Sequence, residues 1–157
     1  APTQVPALGA AGAQRQGSLR ARPRGDAPLI LVDTSAWIDF FRGREPFAGA
    51  VDRLLESNEV ALCGPVVTEL RRGLRSHAER RRVLPLLDGC HSLEQPPRLW
   101  QEAGELGYVL ARRGKTVKTL DLLIATYALA HAVPVLAVDS DFATMKRAGL
   151  GLLLVEV

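Results

Sequence analysis

The stretch Leu29-Ile30-Leu31-Val32-Asp33-Thr34-Ser35 decides the fold. Four branched apolar residues in a row read as a strand buried on both faces, the pattern of a parallel sheet. The run ends on a carboxylate. Thr34 or Ser35 then offers a hydroxyl to cap a helix starting at Ala36. Asp33 therefore falls at the carboxyl end of a central strand, the edge at which open α/β sheets gather their ligands.

Outward from that strand the pattern alternates. Helices are expected over Ala36–Phe41, Phe47–Ser57 and a stretch opened by Gly64-Pro65, and over His77–Leu87, Arg98–Arg113, Leu120–Ala132 and Asp141–Ala148. Thr119 is the expected N-cap of the sixth. Between them lie four further strands, Val60–Cys63, Cys90–Leu93, Pro134–Val138 and Leu152–Val155. Strands alternating with helices mean βαβ units, right-handed crossovers and a parallel sheet. Residues 29–157 form one domain, and 47% hydrophobic content is enough for one core. Residues 1–28, rich in Ala, Gly, Pro and Arg, are expected to be a disordered or extraneous tail.

Composition excludes several function classes. Arg15, Arg20, Arg22 and Arg24 against Asp26 account for the whole net charge of +3, while residues 29–157 balance 16 basic against 16 acidic residues. A basic surface for nucleic acid is therefore not implied by charge alone. Cys63 and Cys90 show no metal-ligand or redox spacing and read as buried thiols of a reducing compartment. No apolar run reaches the roughly 18 residues of a membrane span, and the basic residues of the tail follow its apolar stretch instead of preceding it, the wrong order for a signal peptide. A cytoplasmic protein without membrane contact is expected.

The acids carry the chemistry. Asp33 and Asp139 each close an apolar run, and in a doubly wound sheet their strands are neighbours about 4.8 Å apart. Two anions that close persist only if protonated or bridged by a cation; taken singly, each also reads as a helix-capping aspartate. Asp121 sits in the first turn of a helix that is apolar nearly all round. The helix dipole offsets roughly 0.3–1 kcal/mol of such a charge, against several for burial. Its neutraliser is either Lys118, three residues back, or a metal shared with Asp33. Glu69 is either a surface ion-pair residue or a fourth acid at the same sheet edge. Asp141 caps its helix or joins the site through water. Oxygen-only ligands suit Mg²⁺ or Mn²⁺. The six arginines between Arg71 and Arg82, against Glu79 alone, read as a solvated face or as phosphate contacts beside the site, with Arg71 and Arg72 nearest to Glu69. Trp37 and Trp100 read as core or interface anchors, and Phe40–Leu55 as core or as an apolar groove for a partner.

With these residues in place, the chain resembles a PIN domain of the VapC type, the toxin ribonucleases of bacterial type II toxin–antitoxin pairs. The resemblance spans Leu29–Val157 and is carried by LVDTSAWIDFFRG, VVTELRRGL, KTLDLLIATYALAH and VLAVDSDF in that order. It implies a Rossmann-like three-layer α/β sandwich with a central parallel sheet of about five strands in the order 3-2-1-4-5. It further implies an endoribonuclease dependent on Mg²⁺ or Mn²⁺, with Asp33, Glu69, Asp121 and Asp139 as catalytic and metal-binding acids and Asp141 as a further acid. Ser35 matches the small polar residue two after the first Asp and, with Arg71, Arg72 and Lys118, is a candidate substrate contact. The implied partners are RNA, a cognate VapB-type antitoxin and a second copy, in a homodimer or a toxin–antitoxin hetero-oligomer. Two departures stand out. Ala137 lies where the family often has Thr or Ser, and residues 1–28 have no counterpart. Two other readings fit the same residues: a PIN nuclease of RNA processing or DNA repair without an antitoxin, and a catalytically silent binding module.

Overall fold

A computed structural model describes residues 28–157; the expected tail lies outside the described residues apart from Pro28. The opening run forms β1 (Ile30–Val32), with Leu31 and Val32 wholly buried. It leads directly into α1 (Thr34–Arg42) and then α2 (Phe47–Ser57). The second βαα unit is β2 (Val60–Leu62), α3 (Gly64–Gly73) and α4 (His77–Asp88). Next come β3 (His91–Ser92), α5 (Leu99–Arg112) and α6 (Thr119–His131). The chain closes with β4 (Val135–Leu136) and α7 (Ser140–Arg147).

The four strands form one parallel sheet in the order β3-β2-β1-β4. Ile30 pairs with Val60 on one side of β1, and Val32 pairs with Leu136 on the other. The fifth expected strand is present as a single parallel bridge, Leu154 beside Val135, with Val135 N–H donating to Leu153 and Val155 N–H donating to Val135, both at 2.9 Å. It lies outside β4, as the order 3-2-1-4-5 requires. Gly149 and Gly151, both at positive φ, turn the backbone just before it.

Packing follows the apolar periodicity. Trp37 is fully buried, stacked on Phe41 with centroids 5.6 Å apart and edge-on to Phe40 at 5.8 Å, contacts worth about 0.5–1.5 kcal/mol each beyond their buried area. Phe40, Val51 and Leu55 belong to the same core, so the Phe40–Leu55 segment is internal packing. Trp100 is 63% exposed and takes no part in that core. Helix α5 runs along α6, and Gly107 marks their close approach, since a Cβ there would lie 2.8 Å from Leu122 Cδ1. No helix among the described residues is long and apolar enough to cross a membrane.

Two expected caps are corrected. Asp33, not Thr34 or Ser35, caps α1, because its carboxylate reaches the Ser35 N–H at 2.9 Å; the helix accordingly begins two residues earlier than Ala36. Lys118 holds the N-cap position of α6, one residue before Thr119, and makes no side-chain cap bond. At the other end of α6, Ala132 is held in the left-handed region at φ 52°, ψ 39°. That conformation costs an L-residue about 1–2 kcal/mol, part of which glycine's looser unfolded chain cancels. Ala132→Gly should therefore raise stability by about 0.5–1 kcal/mol in urea unfolding. An unchanged or lower midpoint would mean that the turn carries no such strain.

Candidate active site

The carboxyl ends of β1 and β4 lie side by side, tied by a 2.9 Å bond from the Asp33 N–H to the Leu136 carbonyl. Each strand delivers an aspartate that caps the helix after it. Asp33 Oδ2 accepts from the Ser35 N–H, and Asp139 Oδ1 accepts from the Asp141 N–H at 3.0 Å. Capping and convergence are thus both true of these residues. Since Asp33 takes the capping role, the next two hydroxyls serve other ends. Thr34 Oγ1 donates to Glu69 Oε2 at 2.7 Å, bringing the acid of α3 to the cleft. Ser35 Oγ donates to Asp33 Oδ2 at 2.5 Å and accepts from the N–H groups of Val138 at 2.9 Å and Asp139 at 3.2 Å. It pins the backbone after β4, beside Ala137, to the end of β1.

Asp33, Ser35, Glu69, Lys118, Asp121 and Asp139 line one cleft of about 370 Å³, with Thr34, Ile38, Thr119 and Leu120 completing its walls. Asp141 stands at its margin: one oxygen from each of Asp121, Asp139 and Asp141 lies within 4.8 Å of the others. Asp141 does not cap α7; its Oδ2 accepts from the Lys118 N–H at 3.2 Å, joining the start of α6 to the start of α7. Lys118 Nζ is 2.6 Å from Asp139, 3.7 Å from Asp121 and 4.0 Å from Asp141. Arg71 and Arg72 are both exposed and do not line the cleft, and Arg71 pairs instead with Asp88 at 3.8 Å. Glu79, expected among the surface charges, is 93% buried because it closes a cap: its N–H donates to Ser76 Oγ, and its Oε2 accepts from the Arg75 N–H at 2.7 Å. Thr34 is the site residue that sequence reasoning left as a cap alone. Its place in the first helical turn after Asp33 was the available signal.

The electrostatics single out Asp121. Burial pushes its carboxyl up to about 7, and the charge of Asp33, a hydrogen bond with Asp141 and the charge of Asp139 push the same way; Lys118 pulls weakly against them. Burial likewise raises Asp33, although the Ser35 bonds oppose it. Burial also works against ionising Asp139, but the Asp141 N–H and the Lys118 ammonium outweigh it and hold that carboxyl low. Asp121 Oδ2 is buried and has no hydrogen-bond partner. An orphaned carboxylate oxygen beside two further carboxylates is a donor set that fits a hard divalent cation.

The chain belongs to the PIN-domain family, whose model matches residues 30–148. Its relatives there are VapC ribonucleases. Ribonuclease VapC11 of Mycobacterium tuberculosis is 33% identical over 124 residues, 76% of this chain and 92% of that protein. Among solved structures, VapBC-5 of Mycobacterium tuberculosis, a member of the VapBC family of toxin–antitoxin systems, superimposes with a TM-score of 0.57 at 25% identity, covering 83% of this chain and 100% of that one. A chain of VapBC2 from Rickettsia felis, bound to a DNA fragment from its promoter, shares the fold at a TM-score of 0.66 and 18% identity, over 81% and 97% of the two chains.

The raised carboxyl of Asp121 has a stability consequence. Its folded value lies above its ordinary value of 3.8. Between the two, the folded chain holds a proton that the unfolded chain has lost, so stability from this group is full below about pH 4 and falls as pH rises to about 7. In EDTA, Asp121→Asn should remove that slope and leave the variant more stable than the wild type at pH 8 by about 1–3 kcal/mol. Thermal melts across pH 4–8 check it, and a variant less stable at pH 8 would contradict the origin given for the shift.

Proposed function

We propose that this chain is the toxin of a type II toxin–antitoxin pair, an endoribonuclease that hydrolyses RNA phosphodiester bonds with Mg²⁺ or Mn²⁺. The observation that carries the reading is the convergence of Asp33, Glu69, Asp121 and Asp139 on one cleft, with a buried and unpartnered oxygen on Asp121. So many carboxylates repel a phosphodiester. RNA can approach only when cations outweigh them.

Asp33, Asp121 and Asp139 would hold the ion, with Glu69 and Asp141 on its flanks; a bound divalent cation supplies Lewis-acid activation of water and neutralises charge at the scissile phosphate. The protein's own contribution is to fix those oxygens before substrate arrives. Ser35 spends its one proton on Asp33 and both lone pairs on the Val138 and Asp139 amides. In this reading it therefore positions two acids and does not touch the substrate. Glu69, held by Thr34, keeps a carboxylate at the cleft wall to orient water or accept its proton. Lys118 supplies the cleft's ammonium for a phosphate oxygen. Arg71 and Arg72 serve at most an RNA strand running over the outer face of α3.

Similarity to VapBC-5, a toxin–antitoxin complex, supports a VapB-type antitoxin as the neutralising partner; a homodimer or a toxin–antitoxin hetero-oligomer is the assembly proposed. Purified protein with Mn²⁺ should cleave structured cellular RNA. EDTA should abolish the cleavage, and Asp33→Asn should lower it by about 10²-fold or more. Equal cleavage by the Asn variant would refute the assignment. Expression should arrest growth, and co-expression of the DNA-binding product of a neighbouring small reading frame should restore it.

A further inference from the structure

Three of the carboxylates at the cleft, two of the proposed ligands and the flanking Asp141, already share a cation. Lys118 Nζ lies 2.6 Å from Asp139 Oδ2, 3.7 Å from Asp121 Oδ2 and 4.0 Å from Asp141 Oδ2, and these acids are the same ones whose oxygens fall within 4.8 Å of one another. The two ends of this residue are held very differently. Its backbone is fixed, the N–H donating to Asp141 Oδ2 at 3.2 Å and the carbonyl accepting from the Leu122 N–H at 3.0 Å. Its side chain is 68% exposed, so the ammonium can swing into solvent at only the small cost of an exposed ion pair.

We propose that Lys118 is a positioning residue, a tethered counter-cation that holds Asp121, Asp139 and Asp141 together in the metal-free protein and must vacate their oxygens when a divalent ion enters. The inference rests on the divalent-cation reading of this cleft. Without a cation, clustered carboxylates drive one another apart or take up protons. A lysine head at their centre lets the cleft keep its shape empty. Metal uptake then becomes an exchange in which an ion enters and an ammonium leaves, and the apparent affinity is lowered by whatever the ammonium was contributing. The orphaned Asp121 Oδ2 marks the limit of the stand-in, because an ammonium on a short tether reaches Asp139 fully and Asp121 only at 3.7 Å.

The test is a Mn²⁺ titration of the full chain by calorimetry, on the wild type, Lys118→Met, Lys118→Arg and Asp121→Asn at one ionic strength, with melts of each in EDTA. Lys118→Met should bind Mn²⁺ about two- to fivefold tighter than the wild type, while melting lower in EDTA. Lys118→Arg, which keeps the charge, should stay within about twofold of the wild type. A merely structural lysine would lower the melting point without tightening Mn²⁺. The inference is overturned if Lys118→Met binds Mn²⁺ equally well or more weakly while the wild type binds and Asp121→Asn does not. If the wild type takes up no Mn²⁺, the divalent-cation reading fails first and this inference falls with it.

Discussion

Two parallel strands ending side by side, each on an aspartate, are the constraint from which the rest follows. The pairing of Val32 with Leu136 and the bond from the Asp33 amide to the Leu136 carbonyl leave no freedom in where the chain emerges from β1 and β4. Both strands then turn at once into helices, and each turn is capped by the same acid that faces the cleft. A carboxylate used this way has one oxygen committed to the backbone, so its direction is set by main-chain geometry and not by a mobile side chain. Ser35 adds a single hydroxyl bridging the two turns, and the pair of acids becomes one rigid unit.

The cost of that arrangement appears at Asp121. It sits on the most apolar helix among the described residues, 8% exposed, and Asp33, Asp139 and Asp141 all push its carboxyl the same way. Asp139, no farther from the crowd, is held low because a helix N–H and an ammonium reach it. Two aspartates of one cluster are thus pulled in opposite directions by what each can hydrogen-bond, and the site is left with one acid satisfied and one short of a partner. This is the local frustration expected where function outweighs stability.

Much of this was legible in the letters, and the exceptions have a common cause. An unbroken apolar run closed by Asp33, and a carboxylate in the apolar helix after Lys118, announce themselves by burial pattern, which is a local property. The bounds of α2 are those that its periodicity predicts. The cap of α1 was open between Asp33 and the two hydroxyls after it because all three are competent caps, and only backbone direction chooses among them. The Thr34–Glu69 bond spans 35 residues and the Ser35–Asp139 bond 104; no spacing rule reaches so far. Lys118 was visible as a neighbour of Asp121 three residues on, but its closer engagement with Asp139 depends on the fold. The arginines of α3 and α4 taught the reverse lesson. Their density is plain in the sequence, yet that Arg71 turns to Asp88, on another helix, is not.

The long reach of Ser35 bears on how the protein is born. Its hydroxyl waits for amides that emerge from the ribosome more than a hundred residues later. Until β4 docks, the inner edge of β1 has no partner on that side, and the nascent chain has β1, β2 and β3 to pair but no assembled cleft. Contacts of such separation form late in folding. The acids therefore remain scattered along an incomplete chain throughout most of synthesis, and the cleft can assemble only once Asp139 has been made.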